Sequence, residues 1–183
     1  MIKTYFDSFR AKKALPAELG GIDFEGVELF SDQAQLERWR SWRTGLEYRA
    51  LEGSVLSGAL DDLLVKGGRF IAFDYKTKGS VTTQEDAVKY YQNQLDCYDL
   101  LLQENEMPTP GYGFLLYYSP KSVAERGSVL FELQAIKIPT DRERARATFR
   151  KAVAFLNGPP PGTNGQCEYC SWVGKLRVSE TNT

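Results

Sequence analysis

Three sets of residues in the sequence have types and spacings that can do chemistry: Gly58-x-x-Asp61, Asp74-x-Lys76 and Gln94-x-x-x-Tyr98. If Arg69–Thr77 is a strand, its two-residue period puts Asp74 and Lys76 on one face and Tyr75 on the other. A hairpin through Gly67-Gly68 then returns Asp61 to the neighbourhood of Asp74. Two carboxylates and an ammonium converge at one end of a sheet, where burial without partners costs roughly several kcal/mol per ion, so the arrangement implies mutual pairing or a bound cation. Carboxylates about one residue width apart and open to water suit Mg²⁺ or Mn²⁺, which take oxygen ligands and keep several waters. Asp62 reads as a turn-side partner, although one residue of register shift would exchange it with Asp61. Asp74 and Lys76 taken alone are also what a solvated surface ion pair looks like. Gln94 and Tyr98 share one helix face, and they either buttress such a site or are core residues bonded to backbone.

The elements that must position these residues are legible in outline. The first thirty residues read as a short helix and then loop, broken by Pro16 and Gly20-Gly21. Ser31 or Asp32 caps a helix through Leu36, Trp39 and Trp42 to about Thr44, with Gly45 as its stop. Residues 46–51, 55–65 and 69–77 read as three sequential antiparallel strands, joined by turns at Glu52-Gly53-Ser54 and Gly67-Gly68. The run Phe70-Ile71-Ala72-Phe73 marks the third as a central strand covered on both faces. Residues 84–104 carry Ala87, Tyr91, Leu95, Tyr98 and Leu102 at helical spacing, with Thr82 and Glu85 as a capping box. Two further strands are expected at 111–118 and 128–138. A helix then opens at Thr140 or Asp141 with Ala145, Phe149, Ala152, Val153 and Leu156 on one face, and Pro159-Pro160-Pro161-Gly162 ends regular structure. The predicted order is α-β-β-β-α-β-β-α, a mixed α/β fold.

The motifs, in that order and on strand, strand and helix, resemble the PD-(D/E)XK nuclease superfamily, in particular its RecB-like branch and the related CRISPR-associated nucleases. The resemblance covers residues 32–118 and implies a restriction-endonuclease-like α-β-β-β-α-β core, a mixed sheet flanked by helices. An extra strand, a C-terminal helix and a short cysteine-bearing tail are added to it. It implies a nuclease-like domain over residues 1–158, with its core at about 32–138, and a Pro-rich break and CxxC tail over 159–183. By the same resemblance Asp61 and Asp74 hold the metal, helped by the backbone carbonyl of Tyr75. Lys76 positions the attacking water or stabilises the developing charge, and Gln94 with Tyr98 supports the site and contacts DNA. The implied activity is Mg²⁺- or Mn²⁺-dependent hydrolysis of phosphodiester bonds in DNA. The alternative is a non-catalytic nucleic-acid-binding or assembly module that keeps the nuclease fold.

The chain departs from that pattern in two places. Many RecB-like relatives place a histidine on the first helix as a further ligand, whereas this sequence has no histidine at all. Glu37 and Glu47 are the nearest carboxylates, neither in a convincing motif. Cys167-x-x-Cys170 has the spacing of a metal knuckle but offers two of the four ligands that zinc or an iron-sulfur cluster wants. Either a homodimer, a nucleic-acid-processing complex or an N-terminal segment of the kind relatives carry supplies the rest, or the pair is vestigial and remains as free thiols. The tail after the proline break is therefore expected to be less ordered than the core.

Composition limits the remaining possibilities. The absence of histidine excludes a Ser-His-Asp triad, an HExxH zinc site and any histidine base. Lys plus Arg number 23 against 24 for Asp plus Glu, a net charge of -1, so a nucleic-acid surface must be a local patch. Arg142, Arg146 and Arg150 form a stripe at i, i+4, i+8 that is either a solvated face or a phosphate track. Trp39 and Trp42 stand among Arg38, Arg40 and Arg43 and suit either base stacking or, for Trp39 above all, packing of the helix on the sheet. Cys97 reads as a small half-buried side chain. No run of about eighteen apolar residues and no signal-peptide stretch is present, which implies a cytoplasmic protein without membrane contact.

Overall fold

The computed structural model of the chain describes residues 1–173. In chain order the elements are α1 (Ile2–Arg10), β1 (Val27–Leu29), α2 (Gln33–Trp39), β2 (Leu46–Arg49), β3 (Val55–Gly58), β4 (Asp62–Lys66), β5 (Arg69–Thr77), α3 (Gln84–Glu104), β6 (Tyr112–Val123), β7 (Val129–Pro139) and α4 (Arg142–Leu156). Contacts divide the chain into two units, Met1–Phe149 and Arg150–Thr183. The first holds a five-stranded mixed sheet in the order β1-β4-β5-β6-β7 and a separate β2-β3 hairpin. Its one parallel pair, β5 with β6, is joined through α3, because parallel neighbours need a crossover long enough to carry a helix. This is the restriction-endonuclease-like arrangement that the motif order implies.

Helices cover both sheet faces. On one, Leu95, Tyr98, Leu101 and Leu102 of α3 pack on Leu63, Ala72 and Leu115. On the other, Phe6 of α1 stacks on Tyr75 at 4.8 Å and meets Phe73 edge-on at 5.5 Å. The run Phe70–Phe73 therefore has apolar partners on both sides, as its unbroken hydrophobicity predicts. The second unit holds the end of α4, the Pro159 to Gly162 break and a helical turn at residues 168–173. Of the tail expected to be less ordered, residues 174–183 lie outside the described residues.

Several local expectations need correction. Residues 55–65 are two strands, because the chain leaves β3 at Gly58 and enters the large sheet only at Asp62; the three sequential strands are thus split between two sheets. Helix α2 stops at Trp39, short of Thr44, because Arg40 turns back onto the backbone of Asp61. The cap of α3 is Thr83, which accepts from Asp86 N at 3.1 Å, and the Thr82 hydroxyl is buried instead. Strand β1 within the first thirty residues was unforeseen because three residues show no period. Strands β6 and β7 run on as a long hairpin through a bulge at Pro120/Ser122, where a proline costs no ladder bond. In α4, Ala145 is buried and Phe149 meets Tyr48 edge-on at 5.7 Å. The arginine stripe does not survive as a continuous track: Arg146 donates to Tyr48 Oη and Glu104 at 2.9 and 2.7 Å.

Behind β4 and β5 lies an ion network that the sequence reading missed. Asp62 is fully buried; it accepts from Arg10 Nη2 at 2.6 and 2.7 Å, from Arg40 Nη2 at 3.2 Å and from Tyr75 Oη at 2.5 Å. Asp7 takes both Nη atoms of Arg40 at 2.9 and 3.0 Å, and these guanidinium bonds hold its carboxyl below the usual range against the opposing pull of desolvation. Asp62 is thus a buried anchor rather than a turn-side partner. Removing one member of such a network strands the others, so Asp62→Ala is expected to cost about 3–5 kcal/mol. Urea denaturation should show a lower midpoint with an unchanged slope.

Candidate active site

The site lies where β5 outruns β4. The last β4–β5 pair is Asp62 with Phe73, and one step further along the same register Asp61 faces Asp74. Adjacent residues point to opposite faces of a sheet, which is why Asp62 enters the ion network while Asp61 does not. The Asp61 carboxylate accepts from Tyr75 N at 3.2 Å and lies 2.9 Å from Lys3 Nζ of α1. Its carbonyl accepts from Arg40 Nε at 2.8 Å. In extended backbone the N–H and C=O of one residue leave on the same edge, so the Tyr75 carbonyl also emerges on the side where Asp61 sits.

Helix α3 completes the arrangement through one amide. Gln94 Nε2 donates to Asp74 Oδ1 at 2.9 Å and to Tyr98 Oη at 2.8 Å, and Gln94 Oε1 accepts from Lys76 Nζ at 3.3 Å. Tyr98 Oη donates to the carbonyl of Ala59 at 2.8 Å, which ties the helix to the segment leading into Asp61. Gly58 permits this approach: a Cβ there would lie 2.6 Å from Leu101 Cδ1 and 3.6 Å from the Tyr98 ring. Lys76 forms an ion pair with Asp74 and sits 4.4 Å from the centroid of Tyr91. Asp61, Asp74, Lys76, Gln94 and Tyr98 are therefore brought together, with the backbone of Tyr75 between the two aspartates.

Other expected residues lie elsewhere. Glu37 binds Arg40 and Gln33, Glu47 binds Arg49, and neither contacts Asp61 or Asp74. Trp39 packs on Phe30 at 5.4 Å. Cys97 is a half-buried free thiol pushed upward first by burial and then by Asp96. Cys167 and Cys170 are free, and backbone and side-chain hydrogen bonds from Cys170 lower the Cys167 thiol. Lys3, Arg10, Arg40 and Tyr91 were missed. The one signal for Arg10 is its place at i, i+4, i+8 with Ile2 and Phe6, on the face of α1 that packs against the sheet.

A family model described as the PD-(D/E)XK nuclease superfamily matches residues 4–174. The chain belongs to the PD-(D/E)XK nuclease superfamily. No curated protein and no solved structure matches it. PD-(D/E)XK nucleases typically use divalent metals, and the donor chemistry here can be tested against that habit. Among the described residues no group of three or more Asp, Glu or Cys side chains is arranged around one point, so two carboxylates, a backbone carbonyl and water are the available ligands. Asp74 Oδ2 is buried and forms an ion pair with the Lys76 ammonium. Two carboxylates on either side of a backbone carbonyl, one of them desolvated, fit a hard cation that keeps much of its water.

The electrostatics point the same way. Burial raises the Asp74 carboxyl above its ordinary value, and Asp61 raises it further, while Lys76 and Gln94 pull it down without prevailing. Burial likewise raises the Tyr98 hydroxyl. A carboxyl whose folded-state affinity for a proton is raised contributes stability below the ordinary aspartate range, and that contribution is lost as pH rises through its raised value. In chelator, Asp74→Asn should therefore be at least as stable as the parent near pH 7, with the difference shrinking as pH falls through the raised Asp74 value and gone below about pH 4, the ordinary carboxyl value. Thermal denaturation across pH checks the sign; a variant markedly less stable at neutral pH would show that Asp74 is held for the fold.

Proposed function

We propose that the chain is a metal-dependent deoxyribonuclease of the RecB-like branch, hydrolysing phosphodiester bonds in DNA with Mg²⁺ or Mn²⁺. The observation that carries this reading is the single Gln94 amide joining Asp74, Lys76 and Tyr98. A structural glutamine needs only partners; this one sets the carboxylate and the ammonium of the Asp74-x-Lys76 motif relative to each other. Asp61, Asp74 and the Tyr75 carbonyl would hold the cation, which supplies Lewis-acid polarisation and a more acidic water when bound. Lys3 pairs with Asp61 at 2.9 Å, and its 40% exposed side chain can withdraw into solvent at little cost.

Lys76 acts through charge. Its ammonium is held by Asp74, Gln94 Oε1 and the Tyr91 ring, a preorganised donor for an anionic transition state or for the attacking water. Gln94 and Tyr98 orient that donor and the carboxylate. Cys167 and Cys170 supply half of a zinc or cluster site, so any such group needs ligands from a second copy or another component of a nucleic-acid-processing complex. The free thiols suit a reducing compartment, which favours the cytoplasm; among the described residues no helix is long and apolar enough to cross a membrane.

The test is incubation of purified protein with linear and circular, single- and double-stranded DNA, with Mg²⁺ or Mn²⁺ and with chelator. Asp74→Asn should abolish Mn²⁺ binding in calorimetric titration and abolish cleavage, with the circular dichroism spectrum unchanged. Cleavage by this variant at the parental rate would displace the site. Lys76→Ala should lower turnover by about two to three decades, as for loss of one preorganised donor, while Mn²⁺ still binds. Joint loss of metal affinity and rate would instead make the lysine an organiser of the carboxylates.

A further inference from the structure

The last turn of α2 and the loop from it to β2 carry an aromatic and two cations that the fold does not use. Trp42 is 75% exposed, and the Arg43 guanidinium lies 4.9 Å from its ring centroid. Arg38 and Arg43 are both exposed, and among the described residues neither pairs with a carboxylate. Arg40, by contrast, is consumed by Asp7, Glu37, Asp62 and the Asp61 carbonyl.

The loop is firmly held against the site. Leu60 N donates to the Trp39 carbonyl at 3.0 Å, Arg40 Nε donates to the Asp61 carbonyl at 2.8 Å, and Thr44 Oγ1 donates to the Arg38 carbonyl at 2.7 Å. At its far end Gly45 lies against Gly58, where a Cβ would come within 2.2 Å of the Gly58 carbonyl oxygen. Trp42 is thus two residues from a guanidinium that touches Asp61, and both ends of its loop are pinned to the segment that delivers Asp61.

An indole with one face under a guanidinium and the other open, flanked by uncommitted positive charge, matches the chemistry of a single nucleic-acid strand. A base stacks on the open face, and neighbouring phosphates meet the arginines. Within a duplex the bases show only their edges to a side chain, so an indole platform selects bases that are unpaired. We infer that Trp42 is a stacking platform for an unpaired base of the substrate strand, with Arg43 and Arg38 meeting its phosphates, and that the site therefore takes single-stranded or frayed DNA in preference to intact duplex. This rests on the nuclease reading for the word substrate, but it is tested by binding alone.

The experiment measures the full chain in chelator against a short fluorescent single strand and a blunt duplex of the same sequence. The parent should bind the single strand more tightly. Trp42→Ala should weaken that binding by about tenfold or more, Trp42→Phe by only a few-fold, since a smaller ring still stacks. Arg43→Ala should reduce the slope of log affinity against log salt by about 0.7, the loss of one phosphate contact. An unchanged single-strand affinity in Trp42→Ala overturns the inference, as does a parent that binds no DNA in chelator or prefers the duplex. The exposed indole would then face a protein. The two readings fail separately: a parent that cleaves while Trp42→Ala binds normally removes only the platform, and Trp42-dependent binding without metal-dependent cleavage removes only the catalysis.

Discussion

The arrangement depends on where one buried negative charge finds its partners. Asp62 is fully enclosed, and a carboxylate so placed is tolerable only when its oxygens are filled by donors. Arg10 of α1, Arg40 beyond α2 and the Tyr75 hydroxyl of β5 fill them. Since Asp62 opens β4, its ion pairs fix the start of that strand and set both flanking helices against it. A shift of one residue would expel Asp62 and bury Asp61 among arginines. The network therefore decides which of two adjacent aspartates faces Asp74.

On the opposite face the constraint is steric before it is electrostatic. Helix α3 reaches Asp74 and Lys76 because Gly58 has no Cβ to meet Leu101. Given that approach, one glutamine side chain spans both groups and the tyrosine one turn later bonds the backbone at Ala59. The two sheet faces thus do different work. One satisfies its carboxylate completely, whereas the other leaves Asp74 desolvated and repelled by Asp61.

That contrast explains what could be read in the sequence. The α3 helix over Gln84–Glu104 and the hairpin turn at Gly67-Gly68 follow from local periodicity and turn chemistry, and the Asp74-x-Lys76 geometry follows from strand alternation alone. The reading failed where a long-range partner overrides a local signal. Gly45 is a plausible helix stop, yet Arg40 is drawn to Asp61 and Asp62 and ends α2 five residues sooner. Residues 55–65 carry strand composition throughout, but the need to place Gly58 under α3 and Asp62 in the sheet divides them. Arg10 in an amphipathic helix looks like a surface residue until its carboxylate, fifty-two positions away, is known. Arg146 looks free until Tyr48 and Glu104 are brought beside it.

The unequal treatment of the two aspartates also bears on how such a site persists. A carboxyl held above its ordinary proton affinity by burial weakens the fold at neutral pH, and selection for stability alone would replace it with asparagine or an apolar residue. Its neighbours limit the penalty without removing it: Gln94 and Lys76 offset part of the desolvation, and the opposing face supplies rigidity through Asp62. The sheet therefore carries one carboxylate that stays desolvated and repelled on one face and one whose partners are complete on the other, and the alternation of one strand residue is enough to keep the two apart.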